Sequence, residues 1–335
     1  MRRKQSQSAR SLSRSRRSLI FFLGYLAIES VFKKFSQAFS QQLPSNPIVD
    51  DTKPEIPSNP TLTPQPVSPT QPPQAVVNQQ IEFLQKTVNG VLLYQTIINL
   101  QDPEQLLTIG LANQAPQANS NIVSYGDEEF AEIVKRYQGA ITVSGTFFSK
   151  DEEKRVMGNM VAGGKFLKYS QWENYGTTLG IKAGNQLEMI TARLETQPKW
   201  EEHWFSLTCG PRLLKNGEVW LYPEEEGFQD PHVFDEGWRS AIGFLSSGNV
   251  IYLVTFQAIL SLEKEAELMK AIGCSEAMNL DGGASRALAH RGKIIIPAGR
   301  NLTNVIVGYD RLNPAPEYLK DSWRRFQQAK KAIFK

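Results

Sequence analysis

Asn279-Leu280-Asp281-Gly282-Gly283-Ala284-Ser285 is the stretch on which the reading of this chain turns. It follows an amphipathic segment, Ser261 to Ile272, that sets Leu262, Ala266, Met269 and Ile272 on one helical face. Gly273 supplies a helix stop. Ala277 to Leu280 then reads as a short buried strand, which puts Asp281 at a strand end, where side chains reach into a cleft. Two glycines after it let backbone N–H groups come close to a ligand. A carboxylate beside exposed donors suits acid/base chemistry or recognition of a polar substrate. On local sequence alone an Asp-Gly-Gly leaving a strand is an ordinary turn. The segments that accompany it carry the functional reading.

Four such segments occur in a fixed order. They are AITVSGTFF from Ala140 to Phe148, CGPRLLKNG from Cys209 to Gly217, RSAIG from Arg239 to Gly243, and RNLTNVIV from Arg300 to Val307. Together with NLDGGAS this order resembles the phosphodiester glycosidase family, over roughly residues 85 to 312. The resemblance implies a hydrolase that removes a sugar from a phosphodiester. It assigns Asp281 and Arg239 to catalysis, and Ser144, Gly145, Gly282, Gly283, Ser285, Arg300 and Asn304 to substrate binding. Three positions depart from the family pattern. Ser144 stands where asparagine is usual, Ala284 where a third glycine is common, and Trp238 where proline precedes the arginine. The departures keep a second reading open, a non-catalytic module binding cell-wall or capsular polysaccharide on the same fold.

The residues themselves give the chemistry. Asp281 would protonate a leaving oxygen or activate water. Arg239 and Arg300 would hold an anionic group through paired hydrogen bonds. Most glycosidases use two carboxylates, and Asp230, Asp235 and Glu236, in the loop before Arg239, are candidates for the second. His203, His232 and His290 read as surface or packed residues, with His232 nearest the candidate site in sequence. Cys209 and Cys274 match no metal-site spacing and form no disulfide framework, and the sequence names no cofactor.

Charge divides the chain. Residues 1–36 hold nine Lys/Arg and one Glu, a net of +8, so the total of +3 leaves −5 on residues 37–335. The basic character belongs to the N-terminal stretch and carries no nucleic-acid footprint. Within residues 1–34, Leu19 to Phe32 is largely apolar. At ~1.5 Å per residue it is about 21 Å long, the length of a signal-peptide core or a short signal anchor. An exported protein is expected, anchored in the membrane on its non-cytoplasmic side or secreted after cleavage. Residues 35–78, rich in Pro, Gln and Ser, read as a disordered linker. Residues 316–335 read as a basic amphipathic helix, lying on an anionic surface or docked on its own domain.

Residues 79–315 are expected to form a single α+β domain with a mixed β-sheet flanked by helices. Strand signals run over 139–143, 177–182, 187–192, 204–209, 219–222, 241–245, 250–256 and 304–309. Helical signals cover Gln79 to Lys86, Asp127 to Tyr137 and Ser261 to Ile272.

Overall fold

The computed structural model describes residues 80–119, 126–171 and 173–333. The basic and apolar N-terminal segment and the Pro-rich linker lie outside them. In chain order the elements are β1 (Glu82–Val88), β2 (Val91–Asn99), β3 (Leu106–Leu111), α1 (Phe130–Tyr137), β4 (Ile141–Ser144), β5 (Met160–Ala162), β6 (Lys165–Lys168), β7 (Thr177–Lys182) and β8 (Gln186–Thr191). There follow β9 (His203–Cys209), β10 (Arg212–Lys215), β11 (Glu218–Val219), α2 (Pro231–Phe234), β12 (Gly237–Phe244), β13 (Val250–Leu260), α3 (Leu262–Ala271), β14 (Glu276–Asn279), β15 (Leu288–His290), β16 (Lys293–Ile296), β17 (Asn304–Tyr309) and α4 (Glu317–Ile333).

The class is α+β and mostly β, with few helices. The one sheet expected gives way to three. They run β1-β2-β13-β12-β14-β10-β11, β16-β15-β4-β17-β3 and β6-β5-β9-β7-β8. Every described strand pairing within them is antiparallel. Tight hairpins explain much of this. Asn216-Gly217 turns β10 into β11 with both residues at positive φ, 53° and 80°, as a two-residue hairpin requires.

The helix expected over Gln79 to Lys86 is a strand. Asn89-Gly90, at φ 48° and 81°, closes a hairpin that pairs Glu82 with Ile97 through to Val88 with Val91. This turn fixes the register and overrides the helical spacing. The strand expected over 219–222 stops at Val219, where Tyr222 already accepts from the Glu226 N–H and Pro223 has no donor to offer.

The seven-stranded sheet buries both faces. One packs under α3, where Leu262, Ala266, Leu268 and Met269 meet Leu93, Leu213, Val254 and Ala277. The Ser261 hydroxyl caps α3 by accepting from the Lys264 N–H at 3.2 Å. The other face joins the main core, in which Ile242, Leu253, Met278 and Leu280 meet Val143, Val305, Ile306 and Leu207. Cys209 and Cys274 are both free and buried, and burial pushes each thiol up to about 12.

The C-terminal helix lies on its own domain. Trp323 packs at 4.7 Å on Trp204, whose indole N–H donates to the Ser322 hydroxyl at 2.9 Å. Gln327 accepts from the Gly184 N–H and donates to Asn185, gripping the β7–β8 turn. Leu319 is buried in the main core. Replacing half-buried Trp323 with alanine is expected to cost about 2 kcal/mol, less than a fully buried tryptophan. A denaturant titration of wild type and Trp323→Ala measures it; an unchanged midpoint would show the helix to be a passenger.

Candidate active site

A cleft of about 810 Å³ opens beside the end of β14. Its walls include Phe147, Phe148, Tyr175, Phe228 and Trp238, and its polar groups include Lys150, Asp230, Asn279, Asp281 and Arg300. The site is assembled from the ends of strands in two sheets. The Asp281 N–H donates to the Gly145 carbonyl at 3.1 Å, tying the end of β14 to the end of β4. Asn304, the first residue of β17, clamps the same loop: its Oδ1 accepts from the Thr146 N–H at 2.8 Å and its Nδ2 donates to the Thr146 carbonyl at 3.0 Å.

The glycines answer to close approach. A Cβ at Gly145 would collide with Asn304 Oδ1, and one at Gly282 would collide with the Trp238 carbonyl. Gly283 has φ +54°, the left-handed region, and faces the cleft.

Asp281 is 5% exposed. Burial raises its pKa from the ordinary aspartate value to about 6, against the lowering effects of Ser285, Arg300 and the Gly282 N–H. Its Oδ2 lies 3.5 Å from Arg300 Nη2. Arg300 Nε donates to the Ser285 hydroxyl at 2.6 Å, and the guanidinium rests 4.2 Å over the Phe148 ring. Buried Ser285 thus bridges acid and arginine, and the partly exposed guanidinium keeps an edge toward the cleft.

Arg239 takes a different place from the one expected. Its backbone borders the cleft, but its side chain is committed to the scaffold. Nε donates to the Leu260 carbonyl at 3.3 Å, and Nη2 donates to the carbonyls of Val233 and Asp235 at 3.0 and 2.5 Å. Fully buried Glu265 on α3 lies 4.0 Å from Nε, and burial pushes its carboxyl up to about 8. Arg239 therefore braces the 231–235 wall of the cleft against β13 and α3. Arg300 is the arginine turned to the site.

Ser144 is likewise removed from the cleft. It is 1% exposed, and its hydroxyl accepts from the Ala287 N–H at 3.3 Å. Of the three departures from the family pattern, Ser144 is internal, while Ala284 and Trp238 line the cleft. Asp281, Gly282, Gly283 and Arg300 share the cleft surface; Gly145, Asn304 and Ser285 support it from below.

Asp230, Asp235 and Glu236 all reach the rim. Asp230 is the one held in place, accepting from the His232 N–H at 3.1 Å and pairing with Lys150 at 3.1 Å, and these contacts hold its carboxyl below the usual range. His232 faces Asp235 at 3.7 Å on the same rim. His203 is buried against Glu188 at 2.7 Å, and His290 stacks on Phe83. Among the described residues no three His, Cys, Asp or Glu side chains gather as metal ligands.

Tyr175, Phe228, Lys150 and Asn279 belong to the cleft and escaped sequence reasoning. Tyr175 and Phe228 come from loops without regular patterning. Asn279 was visible in the NLDGG run, one position before the core residue Leu280.

The phosphodiester glycosidase family model matches residues 137–308, just over half of the chain. The chain belongs to the phosphodiester glycosidase family. Among solved structures, the catalytic domain of zebrafish N-acetylglucosamine-1-phosphodiester alpha-N-acetylglucosaminidase, auto-inhibited by its pro-peptide, is similar at 17% identity and a TM-score of 0.54. That match covers 71% of this chain and 85% of the zebrafish one. A hypothetical protein from Synechocystis is similar at 17% identity and a TM-score of 0.52, over 68% of this chain and 61% of its own. The chain thus spans less than two thirds of the Synechocystis protein's length. At such identities these likenesses show the fold. No curated protein matches the chain.

The raised pKa of Asp281 gives a stability prediction. An aspartate held at about 6 in the folded state binds its proton more tightly than when unfolded. Its ionisation therefore costs stability as pH climbs from about 4 to 6. Asp281→Asn removes that cost. Thermal melting of both proteins at pH 4 and pH 7.5 should show the variant gaining on wild type at the higher pH. A variant that instead loses ground at pH 7.5 would mean that the folded protein favours the carboxylate.

Proposed function

We propose that this protein hydrolyses the bond between a sugar and a phosphodiester, with Asp281 as the acid/base and Arg300 holding the anionic phosphate. The observation that carries the reading is the pair itself: a buried carboxyl of pKa about 6 set 3.5 Å from a partly exposed arginine in a cleft. At that pKa the group takes up and releases a proton near neutral pH, as acid/base catalysis needs. A planar guanidinium suits two oxygens of one phosphate. Family membership and the likeness to the zebrafish phosphodiester enzyme support the same reaction class. Asp230, whose pKa is lowered by the His232 N–H and Lys150, is the second carboxylate we assign to the cleft.

The binding-only reading rested on Ser144 and Ala284. Ser144 lies beneath the cleft, so its departure leaves the substrate surface unchanged. The test is release of free sugar from methyl phosphodiesters of glucose, N-acetylglucosamine, mannose and galactose 1-phosphates. Loss of an acid/base group lowers turnover by about 10²–10⁴-fold, the expectation for Asp281→Asn. Arg300→Lys should weaken a phosphodiester by about tenfold or more and spare a neutral methyl glycoside. Full turnover by Asp281→Asn would remove the aspartate from the chemistry and sink the mechanism.

The reading extends to location. Seven basic residues precede the apolar stretch 19–32 and two follow it, an N-in arrangement that would place the domain outside the cytoplasm. Protease added to cells with opened outer barriers should cut the domain. Protection until the inner membrane is lysed would overturn export.

A further inference from the structure

Five aromatic rings line the cleft, each with a ring or guanidinium neighbour, and they differ in how far they open to it. Phe147 and Tyr175 both meet Phe228 edge-on, at 6.1 and 4.6 Å between centroids. Phe148 carries the Arg300 guanidinium over its ring. Trp238 stands apart. At 38% exposure it is the most open of the five.

The Trp238 ring is nonetheless fixed. The Arg286 guanidinium lies 4.0 Å from its centroid and is itself tied to the Phe256 carbonyl. A guanidinium stacked on an indole and anchored to backbone holds the ring without closing the cleft. The backbone fixes where the ring stands. The Trp238 carbonyl abuts Gly282 so closely that no Cβ would fit there, and Gly282 directly follows Asp281. An open, oriented indole is therefore set against the turn that carries the acid.

The chemistry of the ring selects its occupant. A pyranose presents hydroxyls around its edge and a patch of C–H bonds on a face. A flat aromatic surface in a polar cleft fits that combination, binding the patch while the edge groups reach polar partners. An apolar aglycone is better served by the more enclosed Phe147 and Phe228 side, whose rings already pack on one another.

We propose that Trp238 is the stacking platform for the sugar ring and a specificity-determining residue of this site. The proposal rests on the sugar-phosphodiester reading above, and the experiment separates the two. Full-length wild type, Trp238→Phe and Trp238→Ala are compared for calorimetric binding of the methyl α-glycosides of glucose and N-acetylglucosamine. Turnover of the matching methyl phosphodiesters and competition by methyl phosphate are measured in parallel.

Trp238→Ala should weaken glycoside binding and raise KM by about tenfold, with kcat changed less. Trp238→Phe should restore most of the loss. Methyl phosphate, which has no ring, should compete equally with all three proteins. Glycoside binding that depends on Trp238 without any turnover by wild type would overturn the hydrolase reading and uphold the platform. Unchanged glycoside affinity in Trp238→Ala, no glycoside binding by wild type, failed rescue by phenylalanine, or an equal loss for methyl phosphate would each overturn the platform.

Discussion

The site depends on one buried side-chain amide. Asn304 satisfies both the N–H and the C=O of Thr146 and so holds the loop after β4 in a single conformation. That loop presents the Gly145 carbonyl, which receives the Asp281 N–H. Two sheets are thereby joined at the point where the acid leaves its strand. The joint requires Gly145, because Asn304 fills the space a Cβ would need. An unpaired buried amide or peptide group costs about 1–3 kcal/mol, so an Asn304 without its loop, or the loop without Asn304, is strongly disfavoured. The acid's position follows from this satisfaction of polar groups, with the hydrophobic packing of Leu280 beneath it.

Burial divides the two arginines that look alike in sequence. Arg239 lies within β12, where its side chain meets Glu265 on α3 and the carbonyls of Leu260, Val233 and Asp235. The side chain is buried, so every donor is valuable to the scaffold and little is left for a ligand. Arg300 lies on the segment leading into β17, with one donor used by Ser285 and its face resting on Phe148. Its Nη2 faces the deeply buried Asp281 carboxyl, and the guanidinium is 35% exposed. On the proposed reading, the phosphate falls to the arginine that the fold leaves partly exposed.

Much of this was legible in the chain, and what was not has physical causes. Strands such as Thr177–Lys182 and Asn304–Tyr309 match their sequence signals because β-branched residues sit between clear turn residues. Glu82–Val88 was missed because apolar residues there also fit helical spacing, while the deciding Asn89-Gly90 turn lay past the window. The Asp281 turn and its supporting residues were readable as a set, since they recur as short motifs. The roles within the set were not, because a motif records which residue is present and not which way its side chain turns. Glu265 illustrates the limit. It lies three residues after Leu262 and four before Met269, on the apolar face of α3, yet a glutamate in LEKEAELM reads as solvated. Its burial becomes intelligible only when Arg239 is seen across from it.

On the proposed function, the electrostatics of the cleft would couple binding to protonation. Arg300 favours the Asp281 carboxylate, partly offsetting the cost of burying that charge. A phosphate diester seated on Arg300 would turn the guanidinium toward itself and place a second negative charge near Asp281. Both changes favour the protonated acid, since like charges in a poorly solvated site cannot both ionise cheaply. Substrate would thus load the proton that its own leaving oxygen can receive. Asp230 escapes this coupling because the rim keeps it solvated and paired with Lys150. Two carboxyls in one cleft would then hold opposite protonation states, the division of labour that glycoside hydrolysis asks for.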